Sequence, residues 1–248
     1  MTLSTMDRLT WSFAGGYQHA TRSGTYGFLA ALPLLILYET MMLVVGRGGI
    51  AQVRVGAEVW IKQLLILVGF GGMLATGIVV ILIGIGVLWY ERKKEIPLRP
   101  RYFGWMIVES AFYAVVLAIL ISTTVGLLFA AAPEGAGRPS LLTLLALSIG
   151  AGLYEELLFR VALVGGLYYL LRRFADNAAY PAAALIGAFV FSAVHYLGPM
   201  GDAFTLASFV FRFLFGLALN ALFLWRGFGV AAWTHALYDV FVVTRLLG

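Results

Sequence analysis

The chain has no cysteine among its 248 residues. That absence excludes a disulfide scaffold, a thiolate metal site and a cysteine nucleophile. Charge is also scarce: Asp, Glu, Lys and Arg make up 12% of the residues, whereas hydrophobic ones make up 62%. A soluble domain is about half apolar and a quarter charged. With a mean hydropathy of +0.94, this chain has too few polar groups to cover a surface in water, and it belongs in a bilayer. Disordered and collagen-like classes fall on the same numbers. No alternating segments of about ten residues mark a membrane barrel, and no repeat, low-complexity tract or soluble domain stands out. The first 25 residues lack the early apolar region and small-residue cleavage site of a signal peptide. Arg8, Trp11, Phe13, Tyr17 and Arg22 suggest an interfacial stretch instead.

What remains is long apolar runs. A spanning helix needs roughly 20 mostly apolar residues. Seven stretches qualify: Tyr26–Gly46, Leu64–Tyr90, Phe103–Ala132, Leu141–Leu171, Tyr180–Leu197, Thr205–Trp225 and Gly229–Leu247. The expected fold class is therefore all-α, a polytopic transmembrane helical bundle of about seven spans, with six to eight allowed by the three longest stretches. Gly69, Gly71, Gly72, Ala75 and Gly77 are the small residues that let such helices approach closely. The net charge of +5 is read as loop charge that sets orientation, not as a nucleic-acid surface. With a cytoplasmic N-terminus, the inner segments hold Arg8, Arg22, Arg92, Lys93, Lys94, Arg99, Arg101, Arg172, Arg173 and Arg226. The outer ones hold the smaller set Arg47, Arg54, Lys62, Arg138 and Arg245. The excess favours the N-terminus inside and the C-terminus outside. The cluster from Arg92 to Arg101 reads as an anchor on anionic lipid. The expected location is an integral, multi-pass position in a bacterial or archaeal inner (plasma) membrane.

Ionisable side chains inside spans cost about 2.5–3.5 kcal/mol each on insertion scales, so each needs a reason. They are Glu39, Glu109, Glu155, Glu156, Arg160, His195, Arg212, His235 and Asp239. Glu39 and Glu109 read as structural or as channel residues, Arg212 as snorkelling or paired, and His19, before the first span, as uninvolved. The others fall into patterns. Glu156 and Arg160, at i, i+4, stack on one face and can pair, while Glu155 points about 100° away. Phe191 with His195, and His235 with Asp239, repeat the i, i+4 spacing; Phe191 reads mainly as packing. A depth ruler puts Glu156 and His195 level across a hairpin but leaves His235 at the other end of its span, a conflict the sequence leaves open.

A buried carboxylate is a candidate general base, one imidazole can share its water, and another can donate to an oxyanion. That set suits peptide hydrolysis. The same residues suit a zinc ion, with Glu155, His195 and His235 as ligands. A proton- or ion-coupled transporter also uses such residues, and a non-catalytic membrane immunity or binding protein is a third reading. Against transport, no inverted repeat or paired broken helices are visible.

The stretches "GLYEELLFR", "FSAVH" and "WTHALYD" resemble the motifs of the CPBP intramembrane proteases, the CAAX-protease and bacteriocin-processing (Abi) family that includes the type II CAAX prenyl endopeptidases. The resemblance covers about residues 141–245. It implies residues 1–140 as an interfacial segment with three transmembrane helices and 141–248 as a four-helix catalytic core. It further implies a glutamate-dependent endopeptidase with no acyl-enzyme, no cofactor, and a protein or peptide substrate at the membrane. By similarity Glu155 activates water, His195 helps hold it, and Glu156 supports the site through Arg160. His235 and position 239 stabilise the oxyanion. Family members often carry Asn where this chain has Asp239, and an ionised Asp cannot donate to an oxyanion. The resemblance therefore leaves Asp239 to orient a protonated His235, or to be protonated itself.

Overall fold

The computed structural model describes residues 16–46, 54–72, 74–128, 140–174, 176–198, 201–244 and 246. Arg8, Trp11, Phe13, Arg47, Arg138 and Arg245, cited above for the interfacial stretch or the charge count, lie outside these residues. Among the described residues all regular structure is helical. Residues 16–21 form a short helical lead-in. After it come α1 (Gly24–Gly46), α2 (Gly56–Leu67), α3 (Ala75–Glu91) and α4 (Pro100–Leu128). A long rod, α5, runs over Leu141–Leu171, followed by α6 (Asp176–Val194), α7 (Leu206–Arg226) and α8 (Phe228–Val243).

Six of these helices, α1, α3, α4, α5, α6 and α7, are long and apolar enough to cross a bilayer. The last stretch, expected as a seventh span, is α8, a shorter apolar helix. A second expectation is corrected. Leu64–Tyr90 is not one span: it splits into the end of α2 and the whole of α3. Between them Gly69 and Gly72 take positive φ values of 82° and 132°, which glycine adopts without the steric penalty a Cβ brings. The small residues in this stretch therefore include a chain turn as well as helix packing.

Polar ties fix which helix ends lie together. The backbone N–H and the hydroxyl of Thr25, at the start of α1, both reach Glu91 Oε2 at 2.8 Å, at the end of α3. Arg226, at the end of α7, clamps Glu109 of α4 through Nε and Nη2 at 2.5 and 2.7 Å. It also donates to the hydroxyl of Thr21 at 3.1 Å. Tyr17 and Tyr113 complete the Glu109 shell at 2.6 and 2.9 Å. Glu109 is thus a structural knot. Buried charge is tolerable when both partners are paired and hydrogen-bonded, and here both Glu109 oxygens and the Nε and Nη2 of Arg226 have partners.

At the centre, α8 packs against α4, α5, α1 and α7. The approach to α5 is close because Gly152 lacks a side chain. A Cβ there would stand 2.5 Å from the Ala232 carbonyl oxygen and 2.6 Å from Ala236 Cβ. Ala231, Ala232 and Ala236 keep the facing surface of α8 equally thin. That contact brings the polar residues of the two helices within reach of each other.

Candidate active site

The middle of α5 is not an ordinary α-helix. Residues Ala151–Val164 form a π-helical segment, a wider winding with i→i+5 bonds that is rare and found mostly at functional sites. It carries Glu155, Glu156 and Arg160. Glu155 and Glu156 point apart, as their spacing led us to expect: Glu156 is buried against His235 Nδ1 and Arg160, while Glu155 turns to a cavity.

Glu156 is fully buried. Its Oε1 lies 2.7 Å from His235 Nδ1 and 2.9 Å from Arg160 Nη1. The i, i+4 pair expected from spacing is present, and the histidine joins it. Arg160, also fully buried, places its guanidinium over the Phe191 ring at 4.6 Å and sends Nη2 toward the Gly216 carbonyl at 3.4 Å. Phe191 stacks edge-on with Phe159, its rings 5.1 Å apart, and with His195, 4.9 Å away. It packs the wall between the ion pair and the second imidazole.

Glu155 faces open space. Its Oε2 stands 4.0 Å from His195 Nε2 and 3.9 Å from His235 Nε2. Each ring is oriented by its other nitrogen: His195 Nδ1 meets the Phe191 carbonyl at 2.7 Å, and His235 Nδ1 meets Glu156. Asp239 Oδ2 lies 3.6 Å from His235 Nε2. Phe215 closes the apolar side of the His235 ring, 5.1 Å away. The structure thus brings together Glu155, Glu156, Arg160, Phe191, His195, His235 and Asp239.

The depth conflict at His235 is resolved. His235 lies about 10 Å along α8 from Phe228, at 1.5 Å per residue, in the middle of a helix buried among its neighbours. The contacts of His235 with Glu156 at 2.7 Å and Glu155 at 3.9 Å place it level with both, although the ruler put it at the other end.

A cavity of about 600 Å³ opens on this group, lined by Glu155, His195 and Asp239 and, at its polar rim, by Arg54, Gln63 and Asp202. It lies toward the end of α8 away from Arg226. Arg54 and Asp202 were not singled out in the sequence because both sit in connections, where charge is unremarkable. Arg54 pairs with Glu58 at 2.5 Å and approaches Glu39 at 3.7 Å. Tyr38 and Thr76 donate to Glu58, and Tyr154, next to Glu155, donates to Glu39 at 3.2 Å. Glu39 is therefore tied into the wall behind the site. Asp202 donates its backbone N–H to the His195 carbonyl at 2.9 Å and binds Arg212 at 2.5 Å through its carboxylate. Arg212 is paired, one of the two readings given to it, and it fastens the connection that follows His195.

For zinc, bonds of 2.0–2.2 Å in a tetrahedron bring donors to about 3.3–3.5 Å from one another. The separations of 3.9 and 4.0 Å around Glu155 Oε2 are wider. Among the described residues no group of three His, Asp or Glu is placed to hold a metal ion.

Residues 137–241 match the family model described as Type II CAAX prenyl endopeptidase Rce1-like. This segment is Rce1-like. The match runs from the approach to α5 nearly to the end of α8, and so contains every residue of the constellation. An Rce1-like segment in a bundle with six candidate spans supports a multi-pass membrane protease acting on a protein or peptide in the membrane. Neither the curated proteins nor the solved structures include a match to the chain.

Proposed function

We propose that the chain is an intramembrane endopeptidase in which Glu155 activates the water that attacks the peptide carbonyl. The observation that carries this reading is the position of Glu155 Oε2, about 4 Å from the Nε2 atoms of two imidazoles and facing one cavity. A gap of 4.0 Å accommodates one water hydrogen-bonded to both sides. His195 holds its Nδ1 proton toward the Phe191 carbonyl, so Nε2 is left as an acceptor. The water gives one hydrogen to Glu155 and one to His195, and its lone pair points into the cavity.

Attack forms the bond from water oxygen to carbonyl carbon while Glu155 takes the proton. The oxyanion needs a donor, and His235 supplies one only as an imidazolium, since its Nδ1–H is committed to Glu156. The carboxylates of Glu155, Glu156 and Asp239 surround that ring and are the counter-charges of the imidazolium in this reading. Collapse of the intermediate breaks the C–N bond, and the proton held by Glu155 passes to the leaving amine. No step is routed through a metal.

The substrate is a membrane-anchored or C-terminally tagged protein. The Type II CAAX prenyl endopeptidase description makes a prenylated C-terminal motif the first class to test. On the positive-inside assignment the cavity opens toward the outer face. The test compares the termini of membrane proteins, by mass spectrometry, in cells carrying the natural chain or Glu155→Gln. The reading requires a terminus that changes only with Glu155 intact, at equal expression. An unchanged set of termini, or flux of a solute through liposomes abolished by the same variant, would overturn it.

A further inference from the structure

A second polar–apolar site lies at the opposite end of the bundle. An apolar cleft of about 570 Å³ opens between α1, α3, α5 and α7, walled by Phe28, Val80, Val87, Leu157, Val161 and Phe223. At its mouth stand Arg22 and Ser23, and the same two residues line a polar basin of about 630 Å³ with Gln18, His19, Glu91 and Lys94. The two cavities are continuous in their lining. One end is hydrocarbon-like and the other is hydrogen-bonding and charged.

The basin favours an anion. Glu91 is the carboxylate in its wall, and it is already bound by Thr25 and by Lys94 at 3.0 Å. Arg22 Nη2 donates to the Leu224 carbonyl at 3.2 Å, which holds the guanidinium at the junction of the two cavities. Arg92 and Lys93, on the adjoining turn, add positive charge. The level is that of a membrane interface. Trp225 lines the basin and is 54% exposed, and Trp89 and Tyr90 at the end of α3 are 65% and 74% exposed. Large exposed aromatics of this kind settle at headgroup depth.

We propose that this compound site binds one anionic phospholipid. Its phosphate sits in the basin between Arg22 and Lys94, and one acyl chain fills the cleft as far as Leu157 and Val161. Those two residues belong to the π-helical segment that carries Glu155 and Glu156. The bound chain would therefore rest on the back of the catalytic helix.

The test is native mass spectrometry of the full chain in detergent, titrated with phosphatidylglycerol or with phosphatidylcholine of the same acyl chains. Wild type should retain phosphatidylglycerol in preference to phosphatidylcholine. Arg22→Gln and Lys94→Gln should each weaken phosphatidylglycerol about fivefold, as expected for one interfacial charge. Val161→Trp, which fills the cleft without touching charge, should weaken it as well. Arg172→Gln, a basic residue outside both cavities, should leave it unchanged, and melting curves identify any variant that fails to fold. Equal retention of the two lipids would overturn the proposal. So would folded Arg22→Gln or Val161→Trp chains that bind like wild type, or an equal loss in Arg172→Gln.

Discussion

His235 Nδ1 and Glu156 Oε1 meet at 2.7 Å although 79 positions separate them in the chain. The same carboxylate oxygen receives Arg160 at 2.9 Å. One buried anion therefore serves two cationic or donor groups, one on its own helix and one on α8. This contact orients the ring, so that Nε2 is directed toward Glu155 and Asp239.

Removing that anion should be costly. Glu156→Ala leaves Arg160 buried without its partner, which costs about 3–5 kcal/mol when a buried pair is broken from one side. A large drop in melting temperature is expected, together with loss of cleavage. Glu156→Gln keeps the shape and should fold better. It weakens the hold on the His235 proton, however, and cleavage should fall by at least about tenfold. A Glu156→Gln chain with full activity would contradict this assignment.

Glu155→Gln separates chemistry from folding. Its carboxylate faces the cavity and carries no buried ion pair at hydrogen-bonding distance, so the melting temperature should stay within a few degrees. Loss of a general base typically lowers rate by about 10²–10⁴-fold. Initial cleavage rates in liposomes, alongside a melting curve, check both statements.

Asp239 approaches the His235 nitrogen that also faces Glu155. In the proposed mechanism an ionised Asp239 competes with the oxyanion for that N–H. Asp239→Asn removes the competing charge and adds a donor of its own, so it should keep cleavage within about tenfold of wild type, less than the loss of a general base. Asp239→Ala should lose more. An Asn variant as inactive as the Ala variant would assign Asp239 an essential negative charge.

Gly152 sets the distance between α5 and α8. Gly152→Leu places atoms where the Ala232 carbonyl and Ala236 already stand; overpacking of this kind costs about 1–3 kcal/mol and would move His235 away from Glu155. Cleavage should fall along with melting temperature. Gly104→Ala, on α4, meets nothing within 4 Å and should be neutral or slightly stabilising.

Metal removal is the remaining check. Dialysis of the purified chain against a chelator should leave the cleavage rate unchanged in the proposed mechanism. Recovery of a lost rate by added zinc would favour the zinc alternative over water activation by Glu155.

The sequence by itself determined the bilayer, the helical class and the identity of the polar residues that need a reason to be buried. Those follow from composition and from local spacing, because a charge in hydrocarbon is expensive wherever its helix lies. The i, i+4 pairing of Glu156 with Arg160 was legible for the same reason. Tertiary structure decided the rest. The divergence of Glu155 from Glu156 was legible too, but not that one imidazole of α8 would stand between them, with Nδ1 on Glu156 and Nε2 toward Glu155. The short α8, drawn against Gly152, raises His235 into the site, whereas counting residues from a presumed membrane face put it at the wrong depth. Arg54 and Asp202 looked like ordinary loop charges until packing placed them on the rim of the cavity. Such relationships depend on how helices far apart in the chain approach one another, and local periodicity does not encode that distance.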